Sequence, residues 1–395
     1  MANQEPTKVD PAVEEEAREI LTNALNIPSS SIGKMKRIDE GKGYLSVVLA
    51  VEINWDKNNN SVDKPDRLVL KLPTVSKLEV EMKRNMEAED SAKMIDQMTK
   101  LIIDGHNAEC LIYDYLSRVR NTVHIAAPKI YGTGVRSETE DGFILMEDWS
   151  GLGKLPDFLK GMTVQQTYQV METIAEVQIA GMLDKSWLDC VKPPPEDFAD
   201  QNDSVVEKHW DMLKTDYPDD YAVTKDEAKQ LNNSEFLKNV THPKDDEHWV
   251  LVHGDLWANN MMVKLDSNHQ ITDELLGFLD WQIAHKGRPT EDISRFMASS
   301  LTPEIRRAHT QDFLQRYYQK LQTLAKKHEI KLPFTFEDIQ KDYDLTFPFG
   351  AFFYHFQVPV MLGGGYKDEP LEVRKAMVWR AAAAVKDAIQ NMPQV

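Results

Sequence analysis

Residues 253–260 read HGDLWANN, which places an imidazole, a carboxylate and two amides in one short stretch. The plain reading is a loop whose Asp, Trp and Asn residues satisfy local turn hydrogen bonds. The flanking sequence bears on the choice. WVLV precedes the stretch and MMVKL follows it, and a polar turn, DSNHQ, then leads into ITDELLGFLDW. Two apolar runs about a polar turn predict a β-hairpin. Asn260 and Asp280 lie about equally far from the turn near His269 and Gln270, so folding returns them to each other's side, with Asp255 just upstream. Hard oxygen donors with room for water and phosphate suit Mg2+. Zinc would want His or Cys clusters, and the sequence has none at recognisable spacing.

That donor set has the layout of phosphoryl transfer, which needs positioning and charge neutralisation more than covalent chemistry. An Asp aligns the attacking hydroxyl and accepts its proton. An Asn and a second Asp hold Mg2+ on the nucleotide phosphates. A strand lysine neutralises those phosphates, and a helix glutamate orients the lysine. Lys71 in LVLKLP and Glu109 in HNAECLIYDYL occur in that order. Upstream, Gly41-Lys42-Gly43-Tyr44-Leu45-Ser46 reads as a phosphate-covering loop with Ser46 at the third glycine position. These three have plainer readings too: a turn before a strand, an edge-strand lysine lying along apolar surface, and a glutamate on a solvated helix face. The HGDxxxxN stretch with LDW across a hairpin is the sharper signal.

The elements that must position these groups are also visible. Asp10-Pro11 before VEEEAREILTNAL predicts a capped helix with Val13, Ala17, Ile20, Ala24 and Leu25 on one stripe. Val47, Leu49, Val51, Ile53 and Trp55 alternate with other residues, a strand with one strongly buried face. RLVLKLP is a second strand, with Leu68, Leu70 and Leu72 on one face and Lys71 on the other. Residues 76–120 read as helical, and 142–150, GFILMEDWS, as a short strand. Thr163-Val164-Gln165-Gln166 predicts a capping box that opens a helix through about Met182. Residues 190–247 read as loops joining short helices, and the C-terminal third as mostly helical. The expected domains are 1–146, rich in strands, and 147–395, mostly helical.

Bulk properties set the class. The 395 residues allow two or three domains or one two-lobed unit. A formal net charge of −18 disfavours nucleic-acid and membrane-surface partners. The two cysteines, Cys110 and Cys190, are too few for a disulfide framework. The first residues lack the basic and apolar regions of a signal peptide, and no apolar run approaches the roughly 20 residues that span a bilayer. The expectation is a soluble, cytoplasmic protein.

HGDLWANN, FLDWQ and the later Pro289-Thr290-Glu291-Asp292 resemble the kinase-like phosphotransferases that include choline kinase and the aminoglycoside phosphotransferases. HGDLW with LDWQ is most similar to the ecdysteroid-kinase-like, or CHK kinase-like, branch. The resemblance covers about residues 35–385 and is specific over 250–295. It implies an α+β, bilobal protein-kinase-like fold, with a small β-rich N-lobe and a large, mostly helical C-lobe, acting with ATP and Mg2+. It also implies roles: Asp255 as catalytic base, Asn260 and Asp280 as Mg2+ ligands, and Lys71 with Glu109 as the phosphate-binding ion pair. The backbone near Met146, Glu147 and Asp148 would meet adenine. Asp292 would brace the catalytic loop, and His253 would brace it too rather than act as acid or base. Two positions depart from the family pattern: Gln178 stands where relatives commonly carry His, and Ser46 replaces a loop glycine.

Only residues 281–291 separate Asp280 from Asp292, too short for a peptide-docking activation segment. The expected partner is therefore a small molecule bearing a hydroxyl, steroid-, glucoside- or choline-like. Phe352, Tyr354, Phe356 and Met361 in the aromatic C-terminal stretch are either core or the wall of its pocket. A catalytically idle nucleotide-binding regulator on the same fold is the alternative, against which Asp255, Asn260, Asp280 and Lys71 stand together. A metal-dependent hydrolase using His253 and Asp255 lacks further ligands at recognisable spacing.

Overall fold

The computed structural model describes residues 9–38, 46–55, 64–74, 88–137, 140–192, 203–242 and 249–392. The chain divides into two compact units, Met1–Ser117 with Pro128–Gly151 and Arg118–Ala127 with Leu152–Val395. The break thus lies near residue 151, and Arg118–Ala127 groups with the second unit.

In the first unit, α1 (Pro11–Leu25) starts where the Asp10 carboxylate accepts a hydrogen bond from the Ala12 N–H, and ends at Asn26 in the left-handed region. Strands β1 (Ile32–Arg37), β2 (Ser46–Ile53), β3 (Arg67–Pro73), β4 (Ile130–Gly134) and β5 (Phe143–Glu147) form a five-stranded antiparallel sheet in the order β1-β2-β3-β5-β4. Val47, Leu49, Val51 and Ile53 of β2 cluster with Leu68, Leu70 and Leu72 of β3, and Ala17 and Leu21 of α1 pack on them. Each buried Val, Leu or Ile side chain among them contributes about 1.5–3 kcal/mol. A one-residue slip would turn the whole set outward, so this face pins the register. The register sets Lys71 on β3 beside Val48 of β2 and Ile144 of β5. Helix α2 (Ala88–Val119) carries Glu109, with Ile112, Tyr113 and Leu116 buried around it.

The second unit is mostly helical. Helix α3 (Val164–Leu183) opens with the expected capping box: the Thr163 hydroxyl accepts from Gln166 N, and the Gln166 side chain accepts from Thr163 N. It is buried on nearly every side. Three short helices follow, α4 (Asp203–Asp216), α5 (Lys225–Leu231) and α6 (Ser234–Thr241). Strand β7 (Val250–Val252) pairs with β10 (His285–Gly287). Strands β8 (Met261–Leu265) and β9 (Ile271–Phe278) form the predicted hairpin, and β6 (Gly153–Lys154) adds a third strand to it. Helices α7 (Glu291–Ser300), α8 (Pro303–Lys327), α9 (Phe336–Gly363) and α10 (Leu371–Asn391) complete the unit.

Helices α7 and α9 approach closely at Gly350, where a Cβ would lie 2.6 Å from the carbonyl group of Ser294. In α9, Phe352, Tyr354 and Met361 are buried, and the Tyr354 hydroxyl donates to Met377 O, so these residues are core. Phe356 is half-buried. Among the described residues, no helix is long and apolar enough to cross a membrane.

Candidate active site

The loop after β7 is built on a reversal that only glycine makes without strain. Gly254 has φ +84°, and a Cβ there would lie 2.4 Å from Ile283 O. Asp292, at the start of α7, then anchors the loop backbone: its carboxylate accepts from His253 N at 2.8 Å and Gly254 N at 3.0 Å. Burial pushes the Asp292 pKa up, and these two donors oppose that shift. His253 is buried; its Nδ1 accepts from the Asp255 N–H at 3.3 Å, and its Nε2 lies 2.9 Å from Leu279 O. Nδ1 must accept and Nε2 must donate, which assigns the neutral tautomer. Both ring nitrogens are used in holding the loop to the end of β9.

Asp255 and Asn260 meet within the loop. Asn260 Nδ2 donates to the Asp255 carbonyl at 2.9 Å and to Asp255 Oδ2 at 3.0 Å. Leu279 N donates to Asn260 O at 2.8 Å, so the hairpin sets Asp280 one residue beyond the backbone bond that ties it to Asn260. Asp280 itself sits at φ 67°, in the left-handed region that a non-glycine residue occupies only where its surroundings hold it there. With Nδ2 committed to Asp255, Oδ1 is the Asn260 atom suited to a cation. Asn260 and Asp280 therefore carry hard oxygens of the kind that could hold Mg2+. Among the described residues there is no group of three or more His, Cys, Asp and Glu that could hold a metal ion without such help.

The sequence reading missed the other partner of Asp255. Arg295, on α7, donates from Nη2 to Asp255 Oδ1 at 2.9 Å and to Gln357 Oε1 of α9 at 2.5 Å. Its guanidinium lies over the Phe353 ring, 4.2 Å from the centroid. Burial lowers the Arg295 pKa, and the Asp255 carboxylate opposes that shift. The signal was present: in EDISRFMASS the arginine lies three residues after Asp292, on the same helical face. Nor did the sequence show that the loop's far side is tied down. Ala258 N donates to Ser300 Oγ at 2.9 Å, the Asn259 amide reaches the Tyr366 hydroxyl, and Trp257 packs edge-on against Phe158.

Below the loop, two further contacts fix the start of α7. His285 Nε2 lies 2.8 Å from Glu291 Oε1, and its Nδ1 lies 2.9 Å from Ile283 O. Both ring nitrogens face acceptors, so the ring is doubly protonated. Burial disfavours that charge, but Glu291 outweighs burial and raises the His285 pKa to about 9. Gln178 of α3 donates to Pro289 O at 2.9 Å and accepts from the Tyr317 hydroxyl. The glutamine thus makes its own brace between α3 and the turn before α7.

In the first unit, Lys71 Nζ bonds both oxygens of Glu109, at 2.9 and 2.7 Å, and the glutamate is 1% exposed. Such a carboxylate needs its cation. Met146 is buried in β5. The Glu147 backbone N–H donates to Lys129 O, and its carboxylate accepts from Lys129 N and Trp149 Nε1. Asp148 pairs with Arg67 at 3.0 Å. Ser46 begins β2 opposite Pro73. Gly41 and Gly43 lie outside the described residues. Each unit thus gathers its own set: Lys71 with Glu109 in one, and Asp255, Asn260, Asp280, His253 and Asp292 in the other.

The model of the DUF1679 family, described as "Uncharacterized oxidoreductase dhs-27", matches residues 11–361. The chain is 24% identical over 389 residues to the Caenorhabditis elegans protein of that name, covering 91% of this chain and 43% of that one. It is 26% identical over 257 residues to "Uncharacterized kinase-like protein D1044.1" of the same organism, covering 62% of each. The chain thus spans 43% and 62% of the lengths of these two relatives. Among solved structures, the GDP complex of an aminoglycoside 2'-phosphotransferase superposes with a TM-score of 0.51 at 12% identity, covering 96% of this chain and 99% of that one. The chain therefore belongs to the DUF1679 family and has the fold of the aminoglycoside phosphotransferases, an antiparallel-sheet unit joined to a mostly helical one.

Proposed function

We propose that the protein is an ATP-dependent small-molecule kinase of the ecdysteroid-kinase-like branch, transferring the γ-phosphoryl group to a hydroxyl of a steroid-, glucoside- or choline-like acceptor. The observation that carries this reading is the pairing of Asp255 with Asn260 in a loop tied by backbone hydrogen bonds to the residue before Asp280. Asp255 orients the acceptor hydroxyl and takes its proton. Lys71, held by Glu109, neutralises the nucleotide phosphates. Asn260 and Asp280 would hold Mg2+, which when bound would neutralise phosphate charge. The GDP in the similar aminoglycoside phosphotransferase supports a nucleotide as donor. We place the protein in the cytoplasm: it is strongly acidic, and Cys110 and Cys190 form no disulfide.

The oxidoreductase named among the relatives extends well beyond the match. This chain has no G-x-G-x-x-G run, and every described strand pairing is antiparallel, so a dinucleotide-binding parallel sheet is absent from the described residues. The test is transfer of radiolabelled γ-phosphate from Mg-ATP to choline, a polyhydroxylated steroid and an aryl glucoside. Labelled product from any of them supports the reading. Nucleotide binding with no labelled product and no release of inorganic phosphate would favour the idle regulator.

A further inference from the structure

We propose that Arg295 is the positioning residue for Asp255, and that its buried charge fixes the carboxylate at a net cost to the stability of the fold. The orientation half rests on the transfer reading above; the stability half stands without it.

The geometry gives the first half. Two donors grip the Asp255 carboxylate from different elements: Arg295 Nη2 on Oδ1 from α7, and Asn260 Nδ2 on Oδ2 from the loop. With both in place the plane of the carboxylate is set. With Asn260 alone, it can turn about its Cβ–Cγ bond. Arg295 is itself held fast. Gln357 accepts from the same nitrogen, Phe353 lies under the guanidinium, and Gly350 lets α7 and α9 touch without an intervening side chain. A carboxylate fixed before the acceptor arrives loses little entropy when it aligns a hydroxyl.

The second half follows from what the arginine lacks. Arg295 is 1% exposed, yet its Nε and Nη1 have no hydrogen-bond partner among the described residues. Buried donors left unmade are costly, and a buried ion pair is often no better for stability than an apolar residue of similar volume. The pair is also asymmetric: the Arg295 side chain is 2% exposed and that of Asp255 is 16%. Removing the arginine leaves a carboxylate that water can partly reach. Removing the aspartate leaves a cation that water cannot.

The test compares the full chain with Arg295→Met, Arg295→Lys, Asp255→Ala and the Asp255→Ala/Arg295→Met double variant. In thermal unfolding, Asp255→Ala is expected to melt about 5–10 °C below wild type, Arg295→Met at or above wild type, and the double variant near Arg295→Met. In turnover, with water as the acceptor and inorganic phosphate as the readout, Arg295→Met is expected to lose about 100-fold in kcat. Its KM for ATP should stay within about 3-fold, and Arg295→Lys should recover about a tenth of the lost rate or more. Wild-type kcat in Arg295→Met would overturn the orientation half. Arg295→Met melting as far below wild type as Asp255→Ala would overturn the stability half. A wild-type chain that turns over no ATP, either with water or with the three acceptors, would end the transfer reading and the orientation half with it. The four melts would still decide the other half.

Discussion

Raising the pH should weaken the fold beneath the HGDLWANN loop through one residue, His285. Its pKa lies at about 9, above the usual 6.5, because the Glu291 carboxylate 2.8 Å away outweighs the cost of burial. A histidine with a raised folded pKa binds more protons folded than unfolded. Its contribution is therefore complete below pH 6.5 and is lost as pH climbs through about 9. At about 1.4 kcal/mol per pH unit, the loss across that window comes to roughly 3 kcal/mol. The residue is only 9% exposed, so solvent screening takes little from that figure. The loop should feel the loss, because the ring's Nδ1 bonds Ile283 O, the carbonyl beneath Gly254. Urea unfolding at half-unit steps from pH 6 to pH 10 measures it, with His285→Gln as the reference. The variant should be destabilised by about 3 kcal/mol at pH 6, since Glu291 keeps a buried charge without its partner. Its stability should vary less with pH, so the two curves should converge near pH 9–10. Parallel curves for wild type and His285→Gln would refute the reasoning.

Three further outcomes are expected. Asp255→Asn should reduce phosphoryl transfer by about 100- to 10,000-fold while leaving ATP affinity, read by calorimetry, within about 3-fold. Asp280→Asn should weaken nucleotide binding chiefly when Mg2+ is present, which a titration with and without the metal would show. Gly254→Ala should lower stability by about 2 kcal/mol or more, since its Cβ would meet Ile283 O at 2.4 Å and its φ is +84°; a denaturant melt near wild type would contradict this.

The hairpin was legible because its two arms are nearly equal in length and its turn is polar, so symmetry alone returned Asp280 toward Asn260. The capping box at Thr163 and the alternation in β2 were legible because local chemistry and period decide them. Lys71 and Glu109 were less so: only a sheet face and a helix from distant segments make them a pair. Arg295 escaped because a charged residue in a helix ordinarily reads as solvent-facing, and its burial depends on α9 lying against α7. Gln178 could be flagged as unusual, but its partners, Pro289 and Tyr317, lie far along the chain. The aromatic residues of α9 posed the same difficulty. Periodicity marks them as apolar but does not say whether protein or ligand covers them.

The missing side chain at Gly350 has a mechanical consequence. Helices α7 and α9 meet there backbone to backbone, with nothing compressible between them. They behave as one beam, carrying Asp292 and Arg295 on one side and Gln357 on the other. A displacement of α9 therefore reaches the HGDLWANN loop with no slack to absorb it, so a methyl group added at residue 350 would press on the backbone of Ser294 and Arg295 and be felt through that arginine at Asp255, which it does not touch.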